Sequence, residues 1–362
     1  MTVLDAIVLA AGEGTRMRSQ RPKPLHHLCG RPMVLHVIEA VEQLDVDRMV
    51  VVVGHEAEWV IKSLTQRTFD DLEIEFVEQS ERFGTGDAVS VALTALDAAD
   101  ADDEGDVLIV PGDVPLLPTE ILEPLVRAHL GGDHALTVLT TVLEDPTGYS
   151  RVVHGRDGAV ARIVEELDAS EEERAETEVS TSIFMVKRAL LGPALRRLDR
   201  TNAQSEYYLT DVVSVLYNAG HVTRSVLTED RAAVAGVNDR VQLAAAEAEL
   251  RRRINERWMQ HGVTMWDPAS TYVDADVVLA EDVSLLPGTI VKGECRIGAG
   301  AQVGPFALLE DTVVGARAHL GTVHATGARV GEDAEVGSFS VLGPGTDVPS
   351  GARIGPHSTL GL

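Results

Sequence analysis

The chain has 362 residues, 44% of them hydrophobic, with 31 Lys and Arg against 57 Asp and Glu and a formal net charge of −26. That length suits two or three domains, and the apolar fraction is that of a globular protein, which excludes global disorder. A chain this acidic is repelled by phosphate backbones and anionic lipid, so neither nucleic acid nor a membrane surface is its main partner. A small anionic substrate stays open, because a local site and a metal ion override the global field.

Two cysteines, Cys29 and Cys295, lie far apart in sequence. They argue against a disulfide framework and for a reducing compartment. No apolar run reaches the roughly 18 residues that a membrane span needs. Met1 to Gly12 has no basic n-region and runs straight into a glycine loop, so it reads as a first strand and not a signal peptide. The cytoplasm is the expected compartment.

In chain order, the apolar runs AIVLAA (Ala6 to Ala11), MVVVV (Met49 to Val53) and VLIV (Val107 to Val110) suit strands buried on both faces of a parallel sheet. Met33 to Leu44 and Asp87 to Leu96 have helical spacing. Strand, turn and helix in repetition predict an α/β domain with ligands at the carboxyl ends of its strands. The acidic stretch Glu165 to Glu178 reads as a solvated loop or helix face. From Val241 to His261 a proline-free segment carries an apolar stripe of Val241, Leu243, Ala244, Leu250, Ile254 and Trp258, which predicts a long connecting helix ending near Gly262. Beyond it an aliphatic recurs every six residues, first at Val291, Ile297, Val303 and Leu309, then at Val330, Val336, Leu342, Val348, Ile354 and Leu360. This period resembles the hexapeptide signature of the left-handed parallel β-helix, with about five coils at eighteen residues each.

Four groups of residues carry chemistry. In LAAGEGTRMRSQRPKPL (Leu9 to Leu25), Gly12 and Gly14 let backbone N–H groups approach phosphate oxygens. Arg16 and Lys23 add positive charge beside that loop, and the chain has only four lysines. The string is neither a Walker A loop nor a dinucleotide fingerprint. QSERFGTGDA (Gln79 to Ala88) reads as a strand, a turn and a helix start. In VPGDVPL, Asp113 ends a buried strand, either as an ordinary turn aspartate or as a carboxylate placed to hold Mg²⁺. The fourth group is spread over PTGYSR, RIVEELDA and NAQSEYYLTD.

Together these strings resemble the sugar-1-phosphate nucleotidyltransferases. The likeness is to the bifunctional family that joins an N-acetylglucosamine-1-phosphate uridylyltransferase to a glucosamine-1-phosphate acetyltransferase, with the second part truncated, and it covers nearly the whole chain. The resemblance implies a Rossmann-like α/β nucleotidyltransferase domain over residues 1–232, a connecting helix over 233–262 and a short left-handed parallel β-helix over 263–362. It implies that Leu9, Ala10, Ala11, Gly12 and Gly14 face the nucleotide, that Arg16 and Lys23 clamp the triphosphate, and that Gln79 reads the base beside Gly84 and Thr85. Gly148, Glu165, Ser180 and Tyr207 would hold the sugar phosphate, in a pocket also shaped by Tyr149, Glu206, Tyr208 and Asp211. Asp113 and Asn238, in VAGVNDRVQ, would hold Mg²⁺. The implied substrates are UTP and N-acetyl-α-D-glucosamine 1-phosphate, in a homo-oligomer built through the β-helix.

Two departures qualify this. VSTS places Ser180 and Ser182 where the family has asparagine and glycine, which opens a different sugar or cyclitol 1-phosphate, or another NTP, as an alternative. Gly343 and Gly361 stand where the family's acetyltransferase has arginine and lysine, so no acetyltransferase activity is expected. A non-catalytic nucleotide-sugar-binding protein is the alternative from another class.

Overall fold

The computed structural model describes residues 3–65, 72–99 and 105–361. It divides into two compact units, Met1–His26 with Pro32–Leu243, and His27–Arg31 with Ala244–Leu362.

The strands of the first part of the chain are β1 (Leu4–Ala10), the two-residue β2 (His27–Leu28) and β3 (Arg31–Pro32), β4 (Arg48–Val53), β5 (Glu73–Glu78), β6 (Asp106–Pro111), β7 (Leu136–Val142), β8 (Arg151–His154), β9 (Val160–Val164), β10 (Glu178–Lys187) and β11 (Thr223–Leu227). Nine of them form one sheet in the order β11-β7-β10-β6-β1-β4-β5, with β8 pairing β10 and β9. The helices are α1 (Met33–Glu42), α2 (Ala57–Leu64), α3 (Thr85–Ala99), α4 (Thr119–Leu130), the single turn α5 (Glu171–Arg174), α6 (Arg188–Leu195), α7 (Asp211–Asn218) and α8 (Arg240–Gln260).

β1 lies between β4 and β6, parallel to both, with Val8 opposite Val51 on one side and Val110 on the other. The runs are apolar without alternation because helices cover both faces. Ala6, Val8, Val51 and Val110 pack with Val34 and Ile38 of α1, Val60 of α2 and Leu122 of α4. The alternate residues Ile7, Val50, Val52 and Ile109 pack with Val89 and Leu93 of α3, Leu191 of α6 and Val212 of α7. Each Val, Leu or Ile side chain so buried contributes about 1.5–3 kcal/mol.

The sheet is not wholly parallel, as the apolar runs alone suggest. β10 runs antiparallel to β6, with Phe184 opposite Ile109, and to β7, with Phe184 opposite Val138. It is reached through the antiparallel ribbon of β8 and β9 rather than through a helical crossover, and only a crossover returns a strand parallel. A bulge between Ser180 and Ile183 interrupts β10 where it meets the site.

α8 begins where Asp239 Oδ1 accepts the backbone N–H groups of Val241 and Gln242, both at 2.8 Å. It ends where Val263 N bonds Trp258 O and Gly262 N bonds Met259 O, with Gly262 left-handed at φ 87°. This is the glycine stop expected near Gly262. Of the stripe read in the sequence, Ile254 is buried and Leu250 and Trp258 are partly buried, but Val241 is 79% exposed. Residues 233–239, counted above with the connecting segment, are a loop that carries Asn238.

The second unit stacks short strands into three parallel sheets of six, six and five strands. Val291 pairs with Leu309, Val303 with Leu320 and Val314 with Val330, each buried inside the coil. This is the β-helix that the hexapeptide period predicts, with one rung more on two sides than the arithmetic of eighteen per coil gave. The two aliphatic runs are out of phase because three faces are one residue short. The inward residue after Leu309 is Val314, and those after Leu320 are Ala325 and Val330. Cys29 and Cys295 are both buried and free. Among the described residues, no helix is long and apolar enough to cross a membrane.

Candidate active site

A cleft of about 950 Å³ opens in the first unit at the carboxyl ends of β1 and β6. Its wall includes Leu9 and Ala10 from the end of β1, Ala11, Gly12 and Arg16 from the glycine loop, Lys23 after it, and Gln79, Gly84 and Thr85 from the turn into α3. Asp113, Gly148, Glu165, Ser180 and Asn238 also line it. Two of the residues singled out in the sequence stand outside the wall. Gly14, left-handed at φ 65°, is a packing glycine: a Cβ there would lie 2.6 Å from Lys23 Cβ. Tyr207 is held by its backbone, its carbonyl accepting from Gly86 N at 2.8 Å. Its neighbour Tyr208 lines the cleft instead, with its hydroxyl donating to Asp168 at 3.2 Å. Gly84 is required where this turn meets the Tyr207 backbone, because a Cβ at its φ of 108° would sit 2.6 Å from Tyr207 O.

At the centre, Lys23 Nζ donates to Asp113 Oδ2 and, at 2.8 Å, to Asn238 Oδ1. Lys23 opens a 3₁₀ turn after Pro22, Asp113 follows β6, and Asn238 lies on the loop before α8. Val237 N donates to Asp113 O at 2.8 Å, which ties that loop to the end of β6. Asn238 N donates to Gln242 Oε1 at 2.7 Å. One ammonium nitrogen thus reaches a carboxylate and an amide oxygen that are 125 residues apart in sequence. Two converging hard oxygen donors fit Mg²⁺, which takes one or two protein oxygens and fills its octahedron with water and phosphate.

At one end of the cleft Gln79 is 6% exposed, with its N–H on Val53 O. Its side-chain amide donates to Gly84 O at 3.1 Å and to Asp87 Oδ2 at 2.7 Å. With both amide protons committed, it meets a ligand through its oxygen.

At the other end Glu165 takes one hydroxyl on each carboxylate oxygen, from Ser150 at 2.6 Å and from Thr210 at 2.9 Å. Ser150 O accepts Ser180 N at 3.0 Å, and Ser180 Oγ accepts Ser182 N at 3.1 Å. Of the stretch Glu165 to Glu178, read from the sequence as solvated, Glu171–Glu176 is so, with Ser170 and Glu173 forming a capping box at α5, but Glu165 lines the cleft, Ala169 is buried and Glu178 opens β10. Sequence reasoning missed Ser150, Thr210 and Gln242. All three lie inside quoted strings, PTGYSR, NAQSEYYLTD and VAGVNDRVQ, but nothing local ties the two hydroxyls to Glu165 or Gln242 to the Asn238 backbone.

Ser182 is left-handed at φ 61°, where the resembled family has glycine. Ser182→Gly relieves a strain of about 1 kcal/mol. It is expected to raise the melting temperature by about 2–4 °C, read by calorimetry.

The acidic groups at the Glu165 end of the cleft repel one another. Burial first, then the Glu165 charge, raises the Glu206 carboxyl. Burial, then Glu165, Asp199 and Asp168, pushes Asp211 from 3.8 to about 6. The folded state therefore binds the Asp211 proton more tightly than the unfolded chain does. Stability from this group is lost as pH rises from about 4 to about 6, and the penalty is fully present above that. Asp211→Asn is expected to raise the melting temperature relative to wild type at about pH 8 and to change it little at about pH 4.

The family model for a MobA-like NTP transferase domain matches residues 6–198. The bifunctional protein GlmU of Mycolicibacterium vanbaalenii is 44% identical over 352 residues, covering 96% of this chain and 70% of that protein. Its counterpart in Kineococcus radiotolerans is 46% identical over 350 residues, with 96% and 70% covered. That of Bifidobacterium longum subsp. infantis is 41% identical over 389 residues, with 100% and 84% covered. Among solved structures, HddC from Yersinia pseudotuberculosis superposes with a TM-score of 0.50 at 18% identity, over 69% of this chain and 100% of that one. That likeness concerns the fold alone. Given the cleft, the domain match and identities above 40% over nearly its whole length, the chain belongs to the GlmU family and is a nucleotidyltransferase of the UDP-N-acetylglucosamine pyrophosphorylase type.

Proposed function

We propose that this chain joins UTP and N-acetyl-α-D-glucosamine 1-phosphate into UDP-N-acetylglucosamine and pyrophosphate, that the reaction needs Mg²⁺, and that it takes place in the cytoplasm. The observation that carries this is the convergence of Lys23, Asp113 and Asn238 beside the glycine loop, in a cleft with Gln79 at one end and Glu165 at the other. The sugar phosphate is already ionised near neutral pH, so its oxygen attacks the α-phosphorus without a general base. One P–O bond forms, the bond to the β-phosphate breaks in line, and pyrophosphate leaves with the electron pair. The catalytic work is then positioning and charge neutralisation.

Arg16 and the N–H groups at Gly12 face the β- and γ-phosphates, and Lys23 stabilises the charge that grows on the leaving group. Gln79 offers an oxygen to an N–H of the base, as uracil N3 provides. Glu165 accepts hydroxyls of the sugar. Mg²⁺ held by Asp113 and Asn238 would supply further charge neutralisation at the phosphates.

Ser180 favours a second reading. A hydroxyl replaces the amide that the family sets against the sugar, so a different sugar or cyclitol 1-phosphate, or another NTP, is the alternative. Because Gly343 and Gly361 replace the arginine and lysine of the family's second site, the 362-residue chain is proposed to transfer no acetyl group. Phe306 and Phe339, 69% and 63% exposed on the β-helix, support the proposal that this unit assembles into a homo-oligomer, which light scattering checks.

The test is pyrophosphate release with UTP, dTTP and GTP against N-acetylglucosamine, glucosamine and glucose 1-phosphates. Preference for UTP with the first sugar supports the proposal. Preference for another pair moves the reading to a respecialised transferase. No turnover with any pair, by folded protein, leaves a nucleotide-sugar-binding protein.

A further inference from the structure

We propose that Ser150 and Thr210 are positioning residues that lock the Glu165 carboxylate, one hydroxyl on each oxygen, so that it accepts two hydroxyl groups of a pyranosyl 1-phosphate. The inference rests on the nucleotidyl-transfer reading of the cleft and assigns roles within it.

The three residues come from three separate elements. Ser150 directly precedes β8, Glu165 directly follows β9, and Thr210 directly precedes α7. Ser150 is 8% exposed and Thr210 4%, so neither hydroxyl is on the surface for solubility. A hydroxyl buried this far is costly unless it is bonded, and both are bonded to the same carboxylate, at 2.6 and 2.9 Å. A carboxylate presents about four lone-pair positions over its two oxygens. One position on each oxygen is taken by a hydroxyl fixed to the scaffold, and all three residues line the cleft. Each oxygen keeps acceptor capacity for a further donor, and a sugar hydroxyl entering the cleft can supply it.

The clamp also answers an electrostatic problem. Glu165 stands among Asp168, Glu206 and Asp211, and burial first, then the Glu165 charge, raises the carboxyls of Glu206 and Asp211. Two donors aimed at its oxygens fix its orientation in the cleft. The clamp extends to the altered strand β10, since the Ser150 carbonyl accepts Ser180 N and Ser180 Oγ accepts Ser182 N. The serines that depart from the family are therefore part of the same hydrogen-bonded wall as Glu165.

The test is steady-state kinetics of the full chain, varying each substrate in turn. Ser150→Ala and Thr210→Val are each expected to raise KM for the sugar 1-phosphate by about ten-fold, the loss of one hydrogen bond to a charged group. KM for UTP and kcat should stay within about two-fold, and Thr210→Ser should keep the wild-type KM, because it restores the hydroxyl without the methyl. Glu165→Gln is expected to raise the sugar KM at least as far as either single change. The inference is overturned if Ser150→Ala and Thr210→Val leave the sugar KM unchanged, if they alter both KM values and kcat alike, or if Thr210→Ser behaves as Thr210→Val. Should Ser150→Ala fail to fold, the Thr210 pair decides alone. Those outcomes spare the wider reading. Absence of turnover by the wild type overturns the reading and this inference together.

Discussion

Asp113→Ala is expected to slow pyrophosphate release from UTP and a sugar 1-phosphate by about a thousand-fold or more, the several kcal/mol of charge stabilisation that a bound metal supplies. The fold should survive. Asp113 lies beyond the last residue of β6 with a side chain 27% exposed, and its polar contact is to Lys23 rather than to the core. Loss of a partly exposed ion pair costs about 1 kcal/mol or less. The thermal midpoint should therefore move little while activity collapses. Activity within ten-fold of wild type, in protein whose melting curve is unchanged, would show that the carboxylate is not at the reacting centre.

Lys23→Met has the next largest expected effect. The substitution keeps most of the side-chain volume in the space that Gly14 leaves open, so the 3₁₀ turn from Lys23 to Leu25 should persist. Removing one cation aimed at a developing charge costs about 10²–10³ in kcat. A second readout follows from the geometry. The Lys23 ammonium occupies the two oxygens of Asp113 and Asn238 on which the proposed divalent cation would draw. Mn²⁺ added without nucleotide is expected to bind Lys23→Met more tightly than wild type, as an electron paramagnetic resonance titration would read. Equal affinity in the two proteins, with kcat unchanged, would mean that Lys23 serves only as a surface ion pair.

These two residues also show how unevenly the site is written along the chain. Lys23 is visible in the sequence, since it is one of four lysines and follows a glycine loop at short range. Asp113 is visible as the polar end of a buried run. Asn238 is not, because nothing in VAGVNDRVQ distinguishes a ligand from a loop asparagine, and only the family resemblance pointed to it. Tyr207 and Tyr208 are adjacent and chemically alike, so composition could not say which one faces the cleft. The fold places Tyr208 there because the Tyr207 backbone is bonded to the turn at Phe83 and Gly86.

What the sequence determined by itself is whatever repeats within a few residues. Continuous Val and Ile runs marked β1, β4 and β6, since a strand buried on both faces needs no polar alternation. Gly262 marked the end of α8, and the six-residue period marked the β-helix. What the tertiary structure decided depends on chain closure over long separations. That includes the antiparallel return of β10, the three shortened faces that join the two aliphatic runs, the meeting of Asp113 with Asn238, and the Ser150 and Thr210 hydroxyls on Glu165. Local propensity reports a residue's own backbone preferences. It carries no record of which distant backbone will arrive beside it, and a catalytic cleft is assembled from such arrivals.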